Sequence, residues 1–463
     1  MKIIFATDFY YPQTGGIEVS TRRLSQKLSE ACNQVFIIAP SKSFRDKTYR
    51  EGSVTIFGMG SIQIPFYKSA RYSPSLLLKN KISKILTEIK PDVVHVQTNL
   101  SIGRLASVCA QRLGISTVAT GHFMAEDFVR TLKLPHFSWK FINDISHTFS
   151  YSIWKKVDIF TVPTDTAANY FAEKHGFEKK ILTISNGVDI KKFKSNRSNQ
   201  KQVPTIAVVG RLDSAKRVDV VIKALPDILK KMRVNLIIVG SGLEMQNLKN
   251  MARNLGVRGH VRFKGFLPEQ KVAELYRRVN LLATASVIET QGLAVLEALA
   301  SGLPVVAANA GATPELVREG VNGYLFNPDD PASFATRVIK ILSNKKLMIK
   351  MGKESVKIAK KHDIDEVVVK MQGLYQKAIA INSMRALNTK YVPFYRSKGF
   401  IVRLAVVGLV LSFLFRNVLA SPSKVSAREL VIKNKIMNSK IVKKIENLDI
   451  KVKEKFPLRN PSR

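Results

Sequence analysis

The chain has 463 residues, 74 Lys and Arg against 35 Asp and Glu, a formal net charge of +39, and two cysteines. That length makes two or three domains with real cores, and an apolar fraction of 45% with 8% aromatic residues excludes wholesale disorder. Cys32 and Cys109 alone exclude a disulfide scaffold and a cysteine zinc ribbon, while the charge demands an anionic partner without naming it.

The start reads as a short apolar strand running into a Pro-Gly turn, too short for the apolar region of a secretory signal. From there to residue 375, short β-branched runs alternate with longer helical periods, the pattern of βαβ units and parallel sheets. Strands are expected at 3–6, 35–39, 54–57, 93–96, 117–119 and 159–162, with helices notably at 18–31, 76–89 and 102–113. Residues 195–203 are polar and aperiodic and read as a linker. A second series of strands follows at 205–209, 235–239, 261–264, 281–284, 305–307 and 323–326. The expected fold class is α/β: two doubly wound Rossmann-like domains, 1–195 and 196–375, with a ligand cleft between the carboxyl ends of their strands.

Residues 376–463 form a basic extension. The first two segments each carry a net +12, and this one +15. Within it, segment 400–420 has an uncharged core of twelve residues, 404–415, short of the ~20 that span a bilayer. A span would also place a basic tail outside, against the positive-inside rule. A re-entrant or interfacial anchor is therefore the expectation, with a short spanning helix or a buried soluble helix as alternatives. Tyr391, Phe394 and Tyr395 among Lys390, Arg396 and Lys398 suit a headgroup layer. No helix-turn-helix, zinc finger or RNA-recognition signature accompanies the charge, so nucleic acid is not the expected partner.

Several motifs carry chemistry. In ASVIETQGLAVLEALASGLP, 285–304, Glu289 and Glu297 stand eight apart around Gly292. A glycine there lets the backbone turn and approach a ligand, and the amides of Gly292, Leu293 and Ala294 open a helix suited to a diphosphate. Arg211 and Lys216 follow a strand at its carboxyl edge, where two cations stabilise a leaving diphosphate. Gly15-Gly16 forms a second helix-entry turn, and Gly240-Ser241-Gly242 a third, weaker one bordering a nucleoside. His122 follows strand 117–119 and faces the cleft as a positioning or proton-handling group; Glu126 and Asp127 just beyond it suit acceptor hydroxyls or a base. His95 lies inside a strand and reads as structural. Asp363-Ile-Asp365 spells a metal motif, but it opens a helix, 365–381, whose N-terminus accounts for both acids; no metal site is expected.

These motifs, in their order, resemble the family 4 retaining glycosyltransferases. Glu289 and Glu297 match the E-x7-E signature, the run from Tyr11 to Glu18 the N-terminal glycine loop, Ser185 to Asp189 the N-G-V-D turn, and Gly210-Arg211-Leu212 with Lys216 the G-R-L-x4-K block. The resemblance covers roughly residues 1–380 and implies the GT-B fold. It implies that Glu289 contacts the transferred sugar, Glu297 the ribose, and Phe266-Leu267 the base. It also implies that His122 lies near sugar and acceptor, and that Arg211 and Lys216 replace a metal. The donor would be a UDP- or GDP-sugar with no further cofactor. Gln97 departs from the pattern, because many relatives have a second histidine there. The GHFMAEDF context of His122, 121–128, is similar to lipid glycosyltransferases that make monoglycosyl-diacylglycerols. With the basic tail, that implies a membrane lipid acceptor, such as diacylglycerol, phosphatidylinositol or a glycolipid, and an enzyme at the cytoplasmic face of an anionic membrane. A sugar acceptor in polysaccharide or lipopolysaccharide synthesis is the alternative.

Overall fold

The computed structural model describes residues 1–10, 15–63, 71–122, 150–175, 181–194 and 203–388. Residues 195–202 of the expected linker 195–203, residues Glu126 and Asp127, and the whole segment 389–463 with its apolar stretch 400–420 lie outside the described residues. Among those described, no helix is long and apolar enough to cross a membrane.

Every strand expected from the sequence is present. The first sheet is built from β1 (Lys2–Ala6), β2 (Gln34–Pro40), β3 (Lys47–Glu51), β4 (Val54–Met59), β7 (Val93–Val96), β8 (Ser116–Thr120), β9 (Ile159–Val162) and β10 (Leu182–Thr183). Between them, β5 (Ile62–Gln63) and β6 (Arg71–Tyr72) make a separate two-stranded ribbon. The first sheet runs β10-β9-β8-β7-β1-β2-β4-β3 and is parallel except for β3, which joins β4 antiparallel. The charged sequence KTYRE of β3 explains both its edge position and its absence from the expected strands.

The second sheet contains β11 (Thr205–Val209), β12 (Asn235–Val239), β13 (Val261–Gly265), β14 (Leu281–Thr284), β15 (Val305–Ala308) and β16 (Gly323–Phe326). Its order, β13-β12-β11-β14-β15-β16, is all parallel and reverses between β11 and β14. The first sheet reverses in the same way between β1 and β7. Such reversals open crevices at the carboxyl ends of the strands. The strands are apolar on both faces because helices cover both faces. Ile206 and Val208 thus enter one core while Ala207 enters the other, and Ile3 and Phe5 divide from Ile4 and Ala6 in the first sheet.

The last described helix, Ile364–Asn388, follows the second sheet in sequence but packs on the first. Its Ile364, Val367, Val368, Met371 and Tyr375 are buried with Ile3, Phe5 and Val35. It therefore runs straight through position 375, where the sequence pattern placed a boundary. The apolar period continues past that point, and the helix reaches beyond the expected end at 381. The chain crosses between the sheets twice, side by side: the Val188 amide donates to His362 O at 2.9 Å, and the Ile364 amide to Val188 O at 3.0 Å. Both sheets belong to one compact unit, Met1–Asn388.

Candidate functional site

The loops that leave β11 and β14, on either side of the second switch point, meet directly. Asp213 caps a single turn, Ser214–Lys216, by accepting from the Lys216 amide. That turn aims Lys216 at the loop after β14, where its Nζ lies 2.5 Å from Glu289 Oε1. The loops are also joined through backbone, the Val287 amide donating to Ala215 O at 3.1 Å. Arg211 Nε pairs with the buried Asp213 carboxylate at 3.4 Å. Three residues beyond Glu289, Gly292 adopts φ +84° and starts the helix Leu293–Ala300; no side chain caps this end. A positive φ is costly for any residue with a Cβ. The helix N-terminus thus opens beside two cations and a carboxylate, an arrangement that favours phosphate oxygens over the helix and polar hydroxyls at Glu289.

The Gly-x-Gly element has a geometric reason. A Cβ on Gly242 would fall 2.2 Å from Leu212 O, and one on Gly240, where φ is +134°, 1.8 Å from Gly210 O. Both glycines let the loop after β12 lie against the loop that carries Arg211, with the Leu212 amide donating to Ser241 O at 2.9 Å. Phe266, after β13, leaves 46% of its surface exposed, whereas Leu267 packs against the core beneath.

The first sheet contributes from the opposite side. Gly15 precedes the helix Gly16–Glu30, and Glu18 in its first turn folds back over it, so that a Cβ on Gly15 would fall 2.6 Å from Glu18 Oε2. Burial raises the Glu18 carboxyl above the ordinary range, while Arg211 of the second sheet opposes that shift. Gly16 faces Leu293, whose Cδ1 would stand 3.9 Å from a Cβ there. His122 lies just past β8, and its backbone oxygen accepts from Thr290 Oγ1, one residue from Glu289, at 3.3 Å. The His122 Nε2 lies 2.6 Å from Gln97 Oε1. With that oxygen as its neighbour, the ring carries its proton on Nε2 and offers Nδ1 as an acceptor. Burial lowers its pKa to about 4, so His122 is neutral near pH 7. Gln97, the departure from the resemblance noted above, thereby supplies a hydrogen-bond acceptor of its own.

His95 is structural, as its place in a strand suggested. It is fully buried, with Nδ1 2.8 Å from the Tyr375 hydroxyl and Nε2 2.8 Å from Thr120 Oγ1. Burial, and secondarily His122, lowers its pKa to about 3. Asp363 and Asp365 are likewise accounted for locally: Asp363 accepts from the Asp365 amide, and Asp365 pairs with Lys191 at 2.9 Å.

Three residues escaped the sequence reading. Gln291 is 1% exposed and ties the signature loop to the crossing segment, accepting from the Asn186 amide at 2.8 Å and donating to Ser185 Oγ at 2.7 Å. Asp8, at the end of β1, accepts from Thr98 Oγ1, Ser101 Oγ and the amides of Leu100, Ile102 and Gly103, fixing the loop that carries Gln97. Arg23 is buried and reaches Glu297 Oε1 at 2.7 Å. The helical period marks a buried face at Leu24 and Leu28, but it does not distinguish Arg23 from its neighbour Arg22, which pairs with Glu51 nearer the surface.

Two family models match this chain: one described as Glycosyltransferase Family 4 over residues 14–192 and one as Glycosyl transferases group 1 over residues 189–358. The alpha-monoglucosyldiacylglycerol synthase of Streptococcus pneumoniae is 27% identical over 347 residues, covering 70% of this chain and 75% of that protein. The N-acetyl-alpha-D-glucosaminyl L-malate synthase of Bacillus anthracis is 26% identical over 359 residues, covering 74% and 89%. Among solved structures, Anabaena HepE in complex with UDP-glucose superposes with a TM-score of 0.65 at 18% identity, covering 81% of this chain and all of that one. The two doubly wound sheets are those of the GT-B fold.

Proposed function

The chain belongs to the family 4, group 1 glycosyltransferases, and we propose that it moves a hexose from a UDP- or GDP-sugar to a membrane lipid with retention at the anomeric carbon and without a metal. The observation that carries this reading is the Lys216–Glu289 pair beside the uncapped helix at Gly292. The diphosphate lies over the amides of Leu293 and Ala294, with Arg211 and Lys216 as counterions to the charge that grows as the glycosidic bond breaks. Glu289, held by Lys216, accepts from the sugar's hydroxyls; Glu297 addresses the ribose, and Gly240, Gly242 and Phe266 border the nucleoside. Gly15 and Gly16 approach from the other side, and neutral His122 positions sugar and acceptor. The acceptor hydroxyl attacks from the face the diphosphate leaves. The C1–O bond to the diphosphate breaks as the new C1–O bond forms, and the hydroxyl proton passes to the departing phosphate oxygen.

The lipid acceptor is supported by the pneumococcal relative, named as a synthase of alpha-monoglucosyldiacylglycerol, and by the net +15 of residues 376–463, which suits an anionic cytoplasmic membrane face. The Bacillus relative, named as a synthase of N-acetyl-alpha-D-glucosaminyl L-malate, favours a second reading, a water-soluble acceptor. Incubation with radiolabelled UDP- and GDP-sugars and extracted lipids separates the two. Label in the organic phase supports the lipid acceptor, and label transferred only to aqueous products supports the other.

A further inference from the structure

We propose that Arg23 is the positioning residue for Glu297: a cation from the acceptor-side sheet that holds a donor-side carboxylate ionised and oriented. The inference rests on the donor-site reading above and adds to it a residue from the opposite sheet. Arg23 lies on the helix Gly16–Glu30, and Glu297 in the second turn of Leu293–Ala300. Their side chains are only 5% and 9% exposed. Nη2 of Arg23 donates to Glu297 Oε1 and to Glu269 Oε1, both at 2.7 Å, and Nη1 to Gly187 O at 2.7 Å. One side chain thus ties together the signature helix, the helix Glu269–Tyr276 and the segment where the chain crosses between the sheets.

Burying these charges is costly unless they stay together. The groups facing Glu297 are Arg23, Glu269, Lys192 and the Tyr276 phenol. Lys192 is occupied with Glu269 Oε2 at 2.5 Å. Without Arg23, Glu297 would be a buried carboxylate beside a second carboxylate, and both conditions favour its neutral acid. Burial already pushes the Glu297 carboxyl above the usual range against the pull of Arg23. Arg23 therefore supplies, from the helix on the first sheet, the charge that keeps the Glu297 carboxylate available to a donor.

The test uses the full chain, with Arg23→Met removing the charge and Arg23→Lys keeping it without the fork. Donor KM and UDP and GDP affinities are measured from pH 6 to 8.5, beside acceptor KM and Tm. The expected result for Arg23→Met is a donor KM raised roughly tenfold or more, an apparent pKa governing it shifted up by about one unit or more, and an acceptor KM near that of the parent. Arg23→Lys should recover the parent pH profile while donor KM stays about threefold high. A lower Tm with unchanged donor KM and pH profile would reduce Arg23 to a structural ion pair and overturn the proposal. If Arg23→Met does not fold, an Arg23→Lys enzyme with parental donor KM overturns it equally. Parent enzyme that binds neither nucleotide and consumes no nucleotide-sugar would instead overturn the donor reading itself.

Discussion

Lys216 Nζ stands 2.5 Å from Glu289 Oε1, joining the loops on the two sides of the switch point between β11 and β14. Each side chain is about one-fifth exposed, so the pair is sheltered but reachable. In the proposed function the cation serves phosphate and the carboxylate serves sugar hydroxyls, and the two already hold one another in place. Preorganisation of this kind lowers the reorganisation needed at the moment of reaction.

Lys216→Met removes the charge and keeps much of the stem. The expected outcome is a loss of about 1.5–3 kcal/mol in nucleoside diphosphate binding, read by calorimetric titration with UDP and GDP. Asp213 still caps the preceding turn in this variant, so Tm should move little.

Gly242→Ala introduces a Cβ 2.2 Å from a backbone oxygen, which no rotamer relieves. Destabilisation by about 2 kcal/mol or more is expected in urea unfolding. Gly259→Ala is the control: nothing lies within 4 Å of its Cβ position, and it should be neutral or nearly so.

The pH dependence of stability draws on histidines kept neutral by burial: His122, His95 and, shifted in the same direction, His362. His122 and His95 have pKa values lowered from 6.5 to about 4 and about 3. Below pH 6.5 the unfolded chain therefore binds protons that the folded chain refuses, and stability falls as pH drops from about 6.5 toward 4. Thermal unfolding across that range should show the decline. Gln97→Glu places a carboxylate beside His122 and should raise its pKa, seen as a shifted histidine titration by NMR.

The extension is tested by comparing the full chain with a chain ending at Asn388, the limit of the compact unit. Binding to vesicles rich in anionic lipid should be strong and salt-sensitive for the full chain and much weaker for the shorter one. UDP or GDP affinity should be equal in both.

The strands and their doubly wound series were legible because buried parallel strands are apolar on both faces and leave an unmistakable run. β3 was not, since an edge strand is polar by necessity. Motif order singled out Glu289, Lys216, Arg211 and Gly292, and the structure joins Lys216 to Glu289 and starts a helix at Gly292 three residues on, the arrangement on which the proposed donor site rests. What escaped depends on long-range pairing. Arg23 lies 274 positions from Glu297 and Gln291 105 from Asn186, and no local period reports such contacts. The return of helix Ile364–Asn388 to the first sheet escaped for the same reason, because an apolar face in sequence does not say which sheet it covers.

The central claim is that sugar transfer from a nucleotide donor takes place at the Lys216–Glu289 pair. Turnover of labelled nucleotide-sugar by purified Glu289→Ala, against the parent enzyme at equal folded concentration, tests it most directly. The account predicts a fall of roughly a hundredfold or more, with the circular dichroism spectrum unchanged. Parental turnover by a folded Glu289→Ala enzyme would contradict it.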